Sequence, residues 1–267
     1  MSTETIPTWD SSTGRAHVYP GRDRSKLEFP VLEMPPGPLG RRLAALPGDG
    51  HPVRTHLCGI VLVLVAIASL SIVAGLVVTR VLLHVPGVPG ADESLVGFLA
   101  RHRSSGLTEA SLVGSIMAGG VVLPIVAGVV ALLAAAARHW RLAAFLLFAL
   151  AVESASYRLT TLAVHRHRPV VPRLEKLPVE ASYPSGHTAA SIVVYGGLAL
   201  LLTSRIENRA ARIAIWAVAA LIPVFVAFSR MYRGMHHPLD IAGGVMIGIA
   251  ALYALVFVTR AVGGAAK

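Results

Sequence analysis

The sequence predicts an all-α integral membrane protein, a bundle of six transmembrane helices. Of its 267 residues 54% are hydrophobic and only 14% are charged, and mean hydropathy is +0.66, far more apolar than a soluble domain of this length requires. The apolar residues fall into six separate runs near the length of about 20 residues that crosses a bilayer. The formal net charge of +10 does not point to nucleic acid, because the first 55 residues hold seven basic against six acidic side chains. The excess lies at helix ends and in loops of the apolar part, where lipid or an anionic substrate is the natural partner.

Residues 1–55 are rich in Pro, Gly, Arg and Asp, with no sustained periodicity and no basic segment followed by an apolar one. They are expected to form a disordered tail rather than a signal peptide. The six runs then follow at about 57–83, 111–137, 142–164, 187–203, 213–229 and 239–259. The lone Cys58 starts the first of them, so neither an intrachain disulfide nor a cysteine metal cage is available. Between the first two runs, Leu95, Phe98 and Leu99 stand at helical spacing, which fits either an interfacial helix or a solvated loop with a helical turn.

Six spans place the connections after the first, third and fifth on one face. The two polar clusters of the chain, residues 165–187 and "SRMYRGMHHPLD" at 229–240, follow the third and fifth spans and therefore meet on that face. Arg168 and Arg230 supply planar, permanently charged donors suited to phosphate oxygens. "YPSGHTAAS" reads as a helix start: Pro184 and Gly186 break the preceding chain, Ser185 caps or donates, and free first-turn amides attract an anion. His187 stands just inside that start, placed to protonate a leaving oxygen. In "HHPLD", Pro238 fits the first turn of the sixth span and Asp240 lies four residues after His236, so the carboxylate can hold one imidazole nitrogen while the other attacks phosphorus. His237 is secondary in this reading. The face lacks a carboxylate cluster or a His-x-x-x-His pair, having only the isolated Glu175, Glu180 and Asp240, so metal-independent chemistry without a cofactor is expected.

At these residues the sequence resembles the type 2 phosphatidic acid phosphatase superfamily, with motifs K-x6-RP, PSGH and SR-x5-H-x3-D. Pro184–His187 match the second motif, and Ser229, Arg230, His236 and Asp240 match the third at the required spacing. The resemblance covers about residues 90–260 and implies a six-helix membrane phosphatase domain over 56–262. It implies that His236 forms a phosphohistidine, Asp240 orients it and His187 protonates the leaving group, while Arg168, Ser185, Gly186 and Arg230 bind phosphate oxygens. The first motif departs: Thr161 stands where the pattern has lysine, and Arg158, Arg166 or Lys176 is a candidate replacement for that cation. Glu153 and Arg158, ionisable within the third span, are either functional, or a structural pair, or snorkelling side chains.

Implied substrates are a polyprenyl diphosphate such as undecaprenyl diphosphate, phosphatidate or phosphatidylglycerophosphate. With the site's own arginines set aside, the basic loops favour a cytoplasmic N-terminus in the plasma membrane and a site facing outward. Non-hydrolytic binding, flipping or phosphoryl transfer is the alternative function. The soluble vanadium haloperoxidases, which share the pocket type by resemblance, are disfavoured by six spans.

Overall fold

The computed structural model describes residues 6–10, 15–19, 32 and 52–265. Most of the expected disordered tail lies outside the described residues. Within that segment, β1 (Ile6–Asp10) pairs antiparallel with β2 (Arg15–Tyr19), Ile6 opposite Tyr19. Leu32 is buried against the bundle, and its carbonyl accepts a hydrogen bond from Arg141 Nη2 at 3.2 Å.

Most of the remainder is helical: α1 (Pro52–Arg80), α2 (Val88–Arg101), α3 (Ser105–Met117), α4 (Val122–Ala136), α5 (Trp140–Ala163), α6 (Gly186–Thr203), α7 (Arg209–Tyr232) and α8 (Pro238–Ala265). Among the described residues, five helices are long and apolar enough to cross a membrane, six when α3 and α4 count as one span. The sequence predicts one unbroken run at 111–137. The helix instead breaks after Met117 and resumes at Val122 with a 43° bend, since Gly119 and Gly120 are poor helix formers. Large side chains such as Leu62, Val65, Val121, Leu132 and Leu162 are exposed, as suits a bundle whose solvent is hydrocarbon.

Small residues set the packing in the interior. Phe145, Leu146, Ala149 and Val152 of α5 meet Val193 and Leu201 of α6 and Ile247, Ala251 and Leu255 of α8 in one buried cluster. Helix α6 carries a π-helical stretch over Ile192–Gly196. At Gly244 of α8 an added Cβ would lie 2.5 Å from the Ser185 carbonyl oxygen, so only glycine lets α8 come this close to the start of α6. Gly244→Ala is expected to destabilise the bundle by about 1–3 kcal/mol. Thermal melting in detergent checks this, and an unchanged midpoint would contradict the packing.

Segment α2 is a helix, resolving that alternative, with Gly87 (φ 88) before it and a proline in its first turn. Its buried positions are Asp92 and Val96, while Leu95 and Phe98 are exposed. Glu153 is buried in α5 with a hydroxyl partner, Ser154, whereas Arg158 faces outward; they form no pair.

Candidate active site

The loop from 164 to 185 folds back on itself through three main-chain bonds: Arg166 N–H to Glu180 O (3.1 Å), Arg168 N–H to Val179 O (2.9 Å) and Ser182 N–H to Arg166 O (3.0 Å). This ladder brings Arg168 alongside the "SYPSGH" segment. Helix α7 ends where Gly234 takes φ 71 and donates to Met231 O, and Met235 N–H returns to Arg230 O at 2.9 Å. An added Cβ at Gly234 would lie 2.7 Å from Val171, so the turn needs glycine on two counts. Ser185 N–H then bonds Asp240 O at 3.0 Å and ties the start of α6 to the first turn of α8. The two polar clusters thus meet at one end of the bundle.

His236 is buried. Its Nδ1 donates to the Ser182 carbonyl at 2.7 Å, and its Nε2 lies 3.4 Å from Arg168 Nη1. In the neutral ring the proton therefore sits on Nδ1 and the lone pair on Nε2. Asp240 Oδ2 is 3.8 Å from His236 Nδ1, beyond a hydrogen bond, so direct orientation comes from the Ser182 carbonyl, with Asp240 supplying charge from behind. Burial, aided by the Arg230 and Arg168 charges and opposed by Asp240, pushes His236 down to about 4, which keeps it neutral at pH 7.

Arg230 is fully buried. Its Nη1 donates to Ser115 Oγ and to Glu175 Oε2 (2.8 Å), whereas its Nε and Nη2 have no partner. Two buried, unsatisfied donors are costly unless an anion completes them. Glu175 also accepts from Arg233 Nε at 2.6 Å and from Ser115 Oγ at 2.7 Å. Burial alone would raise its carboxyl; the Arg230 charge and the bonds from Arg230, Ser115 and Arg233 outweigh this and hold it at about 2. Arg168 is fixed by the carbonyls of Pro178, Ala181 and Met235.

The remaining expected residues take distinct places. His187 lies in the first turn of α6, within electrostatic reach of Arg230 and His236. Ser185 Oγ is 2.9 Å from Thr188 Oγ1, and Gly186 leaves room for the Tyr157 ring, 3.0 Å from where its Cβ would be. Of the candidate replacement cations, Arg166 is buried between Asp92 and Asp240, so its charge is neutralised there. Arg158 is exposed, and Thr161 spends its hydroxyl on the Arg158 carbonyl at 2.9 Å. Lys176 is exposed and lines an open cavity of about 520 Å³ with Arg173 and Glu175.

Sequence reasoning missed several participants: Ser182, Ser115, Arg233, Tyr157, and the α2 carboxylates Asp92 and Glu93. Tyr157 stands one helical turn before Thr161, which was the available signal. Among the described residues, no group of three or more His, Cys, Asp or Glu side chains is placed to hold a metal ion.

Residues 142–262 match the PAP2 superfamily. The chain is 41% identical over 75 residues to an undecaprenyl-diphosphatase of Sulfolobus acidocaldarius, covering 28% of this chain and 32% of that protein. It is 34% identical over 76 residues to lipid phosphate phosphatase delta of Arabidopsis thaliana, covering 28% and 18% respectively. The chain thus spans about a third or less of the length of these curated relatives. In fold it is similar to the crystal structure of a transmembrane PAP2-type phosphatidylglycerolphosphate phosphatase from Bacillus subtilis, with TM-score 0.59, 21% identity, 73% of this chain and 92% of that chain covered. Both intact motifs, Pro184–His187 and Ser229–Asp240, lie inside the matched segment 142–262, so over less than half of its length the chain is similar to the PAP2 superfamily.

Proposed function

We propose that this protein hydrolyses a lipid phosphate or lipid diphosphate, without a metal ion, through a phosphohistidine on His236. The observation that carries this reading is the His236 ring, whose Nδ1 is engaged by Ser182 O and whose Nε2, carrying the lone pair, has Arg168 Nη1 at 3.4 Å as its hydrogen-bond partner. In the first step Nε2 attacks phosphorus and the bond to the leaving oxygen breaks, that oxygen taking a proton from His187. Arg168 and the two unpartnered nitrogens of Arg230 receive the charge that spreads over the phosphoryl oxygens. In the second step a water activated by His187 attacks the phosphohistidine and releases phosphate and a neutral imidazole.

The substrate class follows from the surroundings of the site. An apolar groove of about 820 Å³ lies between α6, α7 and α8. Its lining includes Met231 and Ile241, next in sequence to Arg230 and Asp240, and reaches Arg260, about 28 Å further along α8 at 1.5 Å per residue. An anionic head in the arginine cradle with a hydrocarbon tail along this groove fits a polyprenyl diphosphate, phosphatidate or phosphatidylglycerophosphate. The relatives named for undecaprenyl-diphosphatase and phosphatidylglycerolphosphate phosphatase activity support the same class. The plasma membrane, with the site on its outer face, is the location this reading assigns.

The test is phosphate release by the purified protein in detergent with a chelator present, comparing the three lipids. Release of phosphate that survives the chelator supports the reading. No release from any of them would favour the binding or transfer role that the missing lysine at Thr161 leaves open. The acid limb of kcat/KM is expected near pH 4 rather than near 6.5, because His236 attacks only when neutral and its folded value is about 4. A pH series of kcat/KM checks this, and a limb near 6.5 would contradict the burial argument.

A further inference from the structure

Helix α2 carries two carboxylates that no motif of the sequence announces. Asp92 accepts Leu239 N–H at 3.0 Å at the start of α8 and pairs with Arg166, whose other terminal nitrogen holds Asp240. Glu93 accepts Val170 N–H at 2.8 Å through one oxygen and faces His237 Nε2 at 2.9 Å through the other. On its far side, His237 Nδ1 lies 3.3 Å from Asp240 Oδ2, which also accepts His237 N–H at 2.8 Å and the Ser182 hydroxyl at 2.6 Å. Both ring nitrogens of His237 therefore face carboxylate oxygens, which only accept. A neutral imidazole has one N–H and would set its lone pair against an anion; the doubly protonated ring satisfies both sides.

We propose that His237 is a positioning residue: as an imidazolium bridging Glu93 of α2 and Asp240 of α8, it holds the Asp240 carboxylate behind His236 and fastens α2 to the catalytic end of α8. This role rests on the hydrolase reading given above. The charged groups facing the ring are Asp240 from α8, Glu93 from α2 and Arg166 from the 164–185 loop, itself paired with Asp92. Burial works against the charged ring, the bonds and charge of Asp240 and the bond to Glu93 outweigh it, Arg166 opposes them, and the net direction is upward. A raised value in the folded protein means the bridge is fully formed below the ordinary histidine value and is lost as pH rises through the raised one.

The experiment uses the full chain in detergent with ¹⁵N-labelled histidine. The His237 signals are assigned by their loss in His237→Gln and titrated in wild type and Glu93→Gln, and kcat and KM are measured with phosphatidate for all three proteins. The expected wild-type midpoint lies above the free value of about 6.5 and moves to lower pH in Glu93→Gln. His237→Gln is expected to lower kcat about tenfold with KM within about twofold, as for loss of position rather than of binding. A midpoint that Glu93→Gln leaves unmoved, or wild-type kcat in His237→Gln, overturns the proposal. Should His237→Gln fail to fold, Glu93→Gln, altered at a partly exposed side chain, decides through its titration and kcat. A wild-type protein without turnover overturns the hydrolase reading instead, and the titration alone then decides whether the bridge exists.

Discussion

His236→Ala is expected to lower kcat for lipid-phosphate hydrolysis by more than about 10,000-fold, the scale of losing a covalent nucleophile. No neighbouring imidazole is placed to take over. His237 has both nitrogens committed to carboxylates, and His187 lies on α6, without the Ser182 carbonyl that fixes the His236 tautomer. The arginine cradle is untouched by the change, so the variant is expected to bind substrate while failing to turn it over. Quenching with detergent at alkaline pH, which preserves the acid-labile P–N bond, reads the covalent step with ³²P-labelled substrate: labelled phosphohistidine forms in wild type and is absent from the variant. Residual activity within tenfold of wild type would sink the assignment of His236 as nucleophile.

Arg230→Ala is expected to reduce kcat/KM by about 100- to 1,000-fold, the usual cost of removing one donor from a charge-stabilising site. Two effects add. The two donors without partners disappear, and Glu175 loses the charge that contributes most to holding it near 2, which leaves a partly buried carboxylate facing the incoming phosphate with Arg233 as its remaining arginine. Arg230→Lys is expected to recover little, since an ammonium cannot reach Ser115, Glu175 and a phosphate with the fork geometry of a guanidinium. Vanadate inhibition provides a second readout, expected in wild type and lost in Arg230→Ala. Undiminished vanadate affinity in the variant would remove Arg230 from the phosphate cradle.

Much of this architecture is legible in the sequence because hydrocarbon imposes simple rules. A run of about 20 apolar residues has few options other than a helix, and span parity alone places residues 165–187 and 229–240 on one face. Spacing within "HHPLD" puts His236 and Asp240 together because four residues make about one helical turn, though the direct hydrogen bond from His236 goes to Ser182 O instead. Contacts between distant segments are not legible in this way. Asp92 is 74 residues from Arg166 and 147 from Leu239, and no periodicity links them. Glu175 looks isolated in the sequence and becomes the partner of two arginines only when the 164–185 loop folds over α3 and α7. The break between α3 and α4 is visible as a glycine pair in retrospect, yet mean hydropathy passes over it.

The ties between α8 and the earlier segments govern when the protein becomes competent during its synthesis. Ser185 N–H waits for the Asp240 carbonyl, Arg166 for the Asp240 carboxylate, and Asp92 for the Leu239 amide. A nascent chain that has emerged only as far as α7 already owns its arginines, but it has neither the imidazole nor the carboxylate that completes the site. Helix α8 therefore works as the starting key of the proposed phosphatase, because a chain stalled before it has the arginines without the His236 ring and the Asp240 carboxylate.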